Sequence, residues 1–395
     1  MRREARAGAA VRLWLLGLAP LALLAALLAA IVALRPADAI RGQAPPVERL
    51  TFQRVELTPH GIAATVLNDG PDPVTVAQVQ VDEAYWDFAI SPARRLGHLG
   101  RARIEIPYPW VEGEVHELRL ISATGVTFDH TIEVAVATPE PSWRFLGVFA
   151  LIGVYVGVLP VALGLLWYPF VGRLGRRALD FVLALTVGLL LFLLVDAVGD
   201  GVEAAAGLAG SFQGLALFAF AALFAYLTIE GLGRWLERRH AAAGAAWVLA
   251  LLVAVGIGLH NFGEGLAIGA AFALGEAALG TLLVVGFTLH NTTEGLAIVA
   301  PLAQQRTPLA RLALLGLIAG LPTIGGAWLG GFVYSPVWSV VFLALGAGAI
   351  AQVIAQIARG TAGERKLAVL ARSAPVIGGL LAGFAVMYAT GMLVG

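Results

Sequence analysis

The chain contains no cysteine in 395 residues. This excludes disulfides, thiolate metal ligands and thiol nucleophiles, and it removes cysteine usage as a marker of redox compartment. Methionine is scarce at three residues, so the soft thioether donors that suit Cu(I) are few. Charge is scarce too: charged residues make up 13%, Lys+Arg and Asp+Glu balance at 26 each, and the formal net charge is zero. No basic run is interleaved with aromatics, which excludes a nucleic-acid partner. What fills the chain is apolar. Hydrophobic residues make up 59% and recur in long runs, the composition of an integral membrane protein and not of a soluble one.

Nine stretches are long enough to cross roughly 30 Å of hydrocarbon: about 13–34, 143–167, 179–198, 212–233, 245–272, 279–303, 309–332, 335–358 and 374–394. The last eight form one block. The first is set apart by a segment rich in Pro, Asp and Thr, where apolar and polar residues alternate, as in Val79-Gln80-Val81-Asp82, Ile104-Glu105-Ile106 and Ile132-Glu133-Val134-Ala135-Val136, with Asn68-Asp69-Gly70 as a turn. Period-two alternation between turn signals predicts an antiparallel β-sandwich of Ig-like size. The expected organisation is an N-terminal tail and membrane anchor over 1–41, an extracytoplasmic all-β domain over 42–138, and an all-α polytopic bundle of eight helices over 139–395, with Pro139 and Pro141 in the linker.

Basic residues orient the chain. Arg2, Arg3, Arg6, Arg12, Arg173, Arg176, Arg177, Arg234, Arg238, Arg239, Arg306, Arg311, Arg359, Arg365, Lys366 and Arg372 all fall on one side if the N-terminus is cytoplasmic. The short loops near 199–211, 273–278 and 333–336 carry none. The remaining basic residues lie between Arg35 and Arg144, in or beside a translocated domain that is exempt from the rule. The expected arrangement is N-terminus in, β-domain out and C-terminus out, in a cytoplasmic (inner) or plasma membrane. Ala37-Asp38-Ala39 also fits a signal-peptidase site, so the first stretch reads as an anchor or as a cleaved signal. The β-domain stays on the same side in both cases.

Two strings repeat thirty residues apart: His260-Asn261-Phe262-Gly263-Glu264-Gly265-Leu266-Ala267-Ile268 and His290-Asn291-Thr292-Thr293-Glu294-Gly295-Leu296-Ala297-Ile298. On a helix, His and Glu four apart lie on one face about 6 Å apart along the axis. Consecutive antiparallel helices bring both pairs to similar depth. A carboxylate at the bilayer centre costs about 3 kcal/mol on insertion scales, and no Lys or Arg lies nearby in sequence to neutralise these two. A divalent cation would make two carboxylates and two neutral imidazoles formally neutral. The bland alternative is a protonated Glu bonded to a His across the helices. The spacing is distinct from the HExxH zincin pattern. Mixed N and O donors suit Zn²⁺, Fe²⁺, Mn²⁺, Cd²⁺ or Co²⁺ without choosing among them.

HNFGEGLAIGAAF and HNTTEGLAIVAPL resemble the paired signature helices, the fourth and fifth, of ZIP (Zrt/Irt-like) metal transporters, and the block from about 143 to 395 is similar to that family in length and helix count. The resemblance implies a binuclear-type site with His260, Glu264, His290 and Glu294 in a primary position. Asn261 and Asn291 would turn toward a second position that shares the carboxylates. It further implies transport toward the cytoplasm, with the divalent metal, zinc foremost, as cargo and not as cofactor, and a possible homodimer. The sequence departs from the family at Thr323, where relatives carry a Glu, and at Gly263 and Thr293, where they commonly carry a Pro. One tight metal position is therefore expected.

Asp196, Asp200 and Glu203 fall on one helical stripe. Asp196 is the candidate fifth ligand or entry-path residue, and Asp200 and Glu203 form an acidic entry path that concentrates cations; helix-end solvation is the alternative. Glu230 precedes Arg234 by four and reads as an ion pair. His60, His98, His116 and His130 show no ligand spacing and read as solvated surface. His240 stands alone in its loop, which therefore offers no obvious metal-sensing tract. The expected function is transport, not enzymatic catalysis. An intramembrane zinc-dependent hydrolase is the alternative from another class, and a non-transporting sensor is a third.

Overall fold

The computed structural model describes residues 18–27, 29–30, 34, 45–239, 244–273, 277–333, 335–362 and 373–392. The residues expected at Ala37-Asp38-Ala39, His240 and the basic positions Arg2, Arg3, Arg6, Arg12, Arg365, Lys366 and Arg372 lie outside the described residues, as does part of the expected 273–278 turn. The chain divides into two compact units, Met1–Val47 and Glu48–Gly395. Within the first, Leu18–Leu27 forms a short apolar helix.

The second unit begins with nine antiparallel strands: β1 (Leu50–Thr58), β2 (Gly61–Asn68), β3 (Val74–Val81), β4 (Ala84–Trp86), β5 (Ala89–Ser91), β6 (Arg95–Leu96), β7 (Arg101–Ile106), β8 (His116–Ser122) and β9 (Thr127–Ile132). One sheet has the order β1-β2-β7-β5 and the other β4-β3-β8-β9, with β6 pairing β3. Alternation does the work expected of it: in β7, Ala102, Ile104 and Ile106 are buried while Arg101, Arg103 and Glu105 face out. Val66, Val76, Val81, Ile104, Leu118 and Leu120 meet between the sheets and make a sandwich core. The alternation at 133–136 does not extend β9, which ends at Ile132; Ala135 instead exchanges backbone bonds with Gly113 and Glu114.

Helices follow: α1 (Trp143–Gly153), a π-turn (Val154–Val158), α2 (Leu159–Leu165), α3 (Tyr168–Val171), α4 (Arg176–Ala206), α5 (Gly214–Arg239), α6 (Ala245–Ala273), α7 (Ala277–Val299), α8 (Leu309–Gly320), α9 (Pro322–Phe332), α10 (Pro336–Ala362) and α11 (Ala374–Met392). Among the described residues, seven helical segments are long and apolar enough to cross a membrane, which makes the chain a polytopic integral membrane protein. In α11 the apolar part is the shorter Ala374–Ala389. Two expected spans are broken. Pro160 and Pro322 each lack the N–H that a continuous helix needs, and the breaks fall at the π-turn and at the α8–α9 junction. The α4 helix runs on through Asp200 and Glu203 to Ala206, so those acids sit on a helix and not in a loop.

Glycines set the depth of packing in the bundle. A Cβ on Gly265 would lie 2.1 Å from the Thr323 carbonyl oxygen, and one on Gly295 would lie 2.3 Å from that of Val161. These are the glycines of the repeated Glu-Gly-Leu-Ala-Ile string, and each lets the next helix approach at backbone contact.

Candidate metal centre

α6 and α7 are uninterrupted through the repeat, which places His260 one turn before Glu264 and His290 one turn before Glu294. His260, Glu264 and His290 each offer a donor atom within 4.8 Å of the others. His260 Nε2 lies 3.1 Å, and His290 Nε2 2.5 Å, from the same oxygen, Glu264 Oε1. The other Glu264 oxygen accepts from Asn291 Nδ2 at 2.8 Å. Glu264 and Glu294 are each 4% exposed, and Asn261 and Asn291 are fully buried. The two non-repeated hydroxyls turn away: Thr292 bonds the Thr288 carbonyl and Thr293 that of His290.

Glu294 is not part of the tight trio. Neither of its oxygens meets a hydrogen-bond partner, and the same is true of Asn261 Oδ1, Asn291 Oδ1 and Thr323 Oγ1. Buried acceptors without donors are costly and call for an electropositive partner. Glu294 and His290 line a small cavity of about 10 Å³ with Leu193 and Met387. On the other flank, Asp196 and Asp200 line a cavity of about 20 Å³ with His260 and Glu264, covered by Phe287 and Phe342. That volume accommodates about one water-sized particle. Asp196 thus borders the trio without joining it, and Glu203 lies on the exposed end of α4, outside this cavity.

Among the described residues, no Lys or Arg side chain pairs with Glu264 or Glu294; the close partners of Glu264 are the two histidines and Asn291. A scan against models of protein families matches none, and a search of curated proteins returns no match. The chemistry of the site is carried by its own geometry: two imidazoles and a carboxylate oxygen converging on one point, with a second carboxylate and two amide oxygens buried nearby.

Elsewhere, Glu230 pairs with Arg234 as expected, at 2.9 Å. It also takes a two-point bond from Arg359 and one from Gln352. Those residues, with Gln356, line a vestibule of about 810 Å³ at the arginine-bearing end of the bundle. Two β-domain histidines are not solvated surface. His116 is 2% exposed and bonds Asp82 through Nδ1 at 2.8 Å, while His130 stacks on Phe52 at 5.1 Å, and burial lowers its pKa.

The carbonyls of Val156 and Ala319, which accept from Asn291 Nδ2 at 3.1 Å and Asn261 Nδ2 at 3.2 Å, were not visible from the repeat alone. The signal was there in Gly157-Val158-Leu159-Pro160 and Gly320-Leu321-Pro322, where a Gly and a Pro interrupt an apolar span.

Proposed function

We propose that the protein carries divalent transition-metal ions across its membrane, as a ZIP-like transporter. His260, Glu264, His290 and Glu294 form the principal site, Asn261 and Asn291 are auxiliary oxygen donors, and Asp196, Asp200 and Glu203 line the entry path. The single observation that supports this best is the buried His260–Glu264–His290 cluster next to an unpartnered Glu294. Two carboxylates and two neutral imidazoles balance the charge of one M²⁺ ion. Ligands of this type are borderline to hard, in keeping with Zn²⁺ and its first-row neighbours.

The path follows from the flanks of the site. Ions collect at the acidic stripe of α4, lose water in the small cavity under Phe287 and Phe342, and bind between α6 and α7. They leave through the vestibule beside Glu230 and Arg359, which the distribution of arginines puts on the cytoplasmic side. The transport domain occupies 139–395, and the Ig-like sandwich of 42–138 is extracytoplasmic and supplies no ligand. The metal is cargo.

The test is uptake of Zn²⁺, Cd²⁺, Fe²⁺ and Mn²⁺ into proteoliposomes by the intact chain, Glu264→Ala and Glu294→Ala. Saturable flux that either substitution abolishes is the expected outcome. Retained metal binding without flux, or hydrolysis of lipid substrates, would replace the carrier with a sensor or an intramembrane metallohydrolase.

A further inference from the structure

We propose that Pro160 is a positioning residue for the metal site and acts through Asn291. For its consequence in ion binding this rests on the metal-carrier function proposed above; the bond itself rests on geometry alone. Proline has no N–H to give the carbonyl four residues back, which here is Val156. Just before it the helix loosens into the π-turn, where Leu159 N–H reaches back five residues to the Val154 carbonyl. Such turns are short and concentrate at functional sites. The Val156 carbonyl accepts instead from Asn291 Nδ2 at 3.1 Å.

The two hydrogens of that amide nitrogen have different destinations. One goes to Val156, and the other to Glu264 Oε2 at 2.8 Å. The terminal torsion of a glutamate is otherwise broad, so the bond from Asn291 fixes the plane of the Glu264 carboxylate, with one oxygen held by the amide and the other turned to the histidines. It leaves Oε1 for both imidazoles. The backbone of α2 lies close enough for this because Gly295 and Gly164 meet without side chains: a Cβ on Gly295 would lie 2.6 Å from Gly164 Cα. The resulting order is Pro160, Val156 carbonyl, Asn291 amide, Glu264 carboxylate, ion. The second asparagine is an internal control, because Asn261 Nδ2 bonds Ala319 at the Pro322 break, while the amide that bonds Glu264 is that of Asn291.

The experiment is a double-mutant cycle on the full chain in detergent: parental, Pro160→Ala, Asn291→Leu and the pair, with Zn²⁺ affinity by titration and Tm measured without metal. An alanine at 160 restores the N–H and draws the Val156 carbonyl back along the helix axis. Pro160→Ala is expected to weaken Zn²⁺ binding about ten-fold in the parental background, the usual effect of losing an outer-shell partner. With Leu at 291 already in place it should cost less than about two-fold, the margin within which independent changes add. Pro322→Ala should cost the same with and without Asn291→Leu. Pro160→Val restores the same N–H and serves as the second variant if Pro160→Ala does not fold. An unchanged affinity in Pro160→Ala, or an equal loss in both backgrounds, overturns the proposal. Should the parental chain bind no Zn²⁺, the carrier function fails; the metal-free Tm cycle still decides the bond, with non-additivity supporting it and additivity refuting it.

Discussion

At the scale of single residues, the repeat was enough to foresee that His260, Glu264 and His290 converge, because i,i+4 spacing on adjacent helices is a local property. What it could not place were partners far along the chain, such as Asp82 with His116, 34 residues apart. Asp82 is the hub of the β-domain's polar cluster. Burial alone would raise its pKa, but bonds from the Tyr108 hydroxyl at 2.6 Å, the Glu117 N–H at 2.8 Å and His116 outweigh it and hold the carboxyl below its ordinary value. Burial, and then Asp82, push Tyr108 up to about 12. A lowered carboxylate pKa stabilises the fold above its unfolded value near 3.9 and is lost as pH falls through the folded value. The raised Tyr108 contributes below its unfolded value near 10, and that contribution is lost as pH rises toward 12. Hydrogen exchange of the β-strands in the full chain should therefore show protection declining below about pH 4 and above about pH 10. Asp82→Asn should lower protection by about 1 kcal/mol at neutral pH, the small end for a charged hydrogen bond because Asp82 is partly exposed, and should flatten the acid decline. An acid limb of unchanged steepness in Asp82→Asn would remove Asp82 from this role.

At the scale of elements, hydropathy located the helical segments from 143 onward, although α4 runs to Ala206, eight residues past its expected end at 198, and it left the two breaks unmarked, because a proline within an apolar run ends or kinks a helix according to what the neighbouring helix offers the freed carbonyl. At Pro160 the neighbour offers Asn291 to the freed Val156 carbonyl; at Pro322 Asn261 bonds the Ala319 carbonyl, one residue past the one that the proline frees. The helices that carry the two asparagines run without a break, with no proline at Gly263 or Thr293. The repeated glycines were legible as small residues, though not which of them touch backbone. Gly295 and Gly231 separate the cases: a Cβ on the first would meet the Val161 oxygen at 2.3 Å, and one on the second meets nothing within 4 Å. Gly295→Ala should lower stability by about 1–3 kcal/mol through overpacking and weaken metal binding by moving α7 off α2, although no ligand is changed. Gly231→Ala should be neutral, or stabilising by up to about 1 kcal/mol through helix propensity. Thermal unfolding with metal titration on both variants checks this, and a neutral Gly295→Ala would show that the interface yields without cost.

At the scale of the molecule, the tightest backbone approaches divide the helices into two sets. Gly188 meets Leu380, Gly214 meets Ala205 and Gly348 meets Ala222, which joins α4, α5, α10 and α11; Gly258, Gly265 and Gly295 meet Ile318, Thr323 and Val161, and Gly320 meets Val158 in the π-turn that leads into α2, which together join α2, α6, α7, α8 and α9. Across the seam the glycines face mostly side chains: a Cβ on Gly256 would meet Val353 Cγ2, one on Gly233 would meet Leu252 Cδ1, and one on Gly346 would lie 3.2 Å from His260 Cα. Under the proposed function, the His and Glu ligands lie on the second set and the acidic entry residues on the first, so relative motion along this seam would change access to the site, as alternating access requires. The β-sandwich touches both sets lightly. Asp69 accepts from Gly210 N–H at 3.2 Å and from the Ser211 hydroxyl, while Arg54 donates to the Phe332 carbonyl at 3.4 Å. A few polar bonds at sheet and helix ends add at most about 1–3 kcal/mol each, too little to hold the bundle together, and none of them involves a proposed ligand. Deleting residues 42–138 should therefore leave saturable metal uptake measurable in proteoliposomes. If a deletion variant with normal helix content and elution volume lost uptake completely, the β-domain would have to be counted as part of the transport machinery, with Asp69 and Arg54 the first contacts to restore.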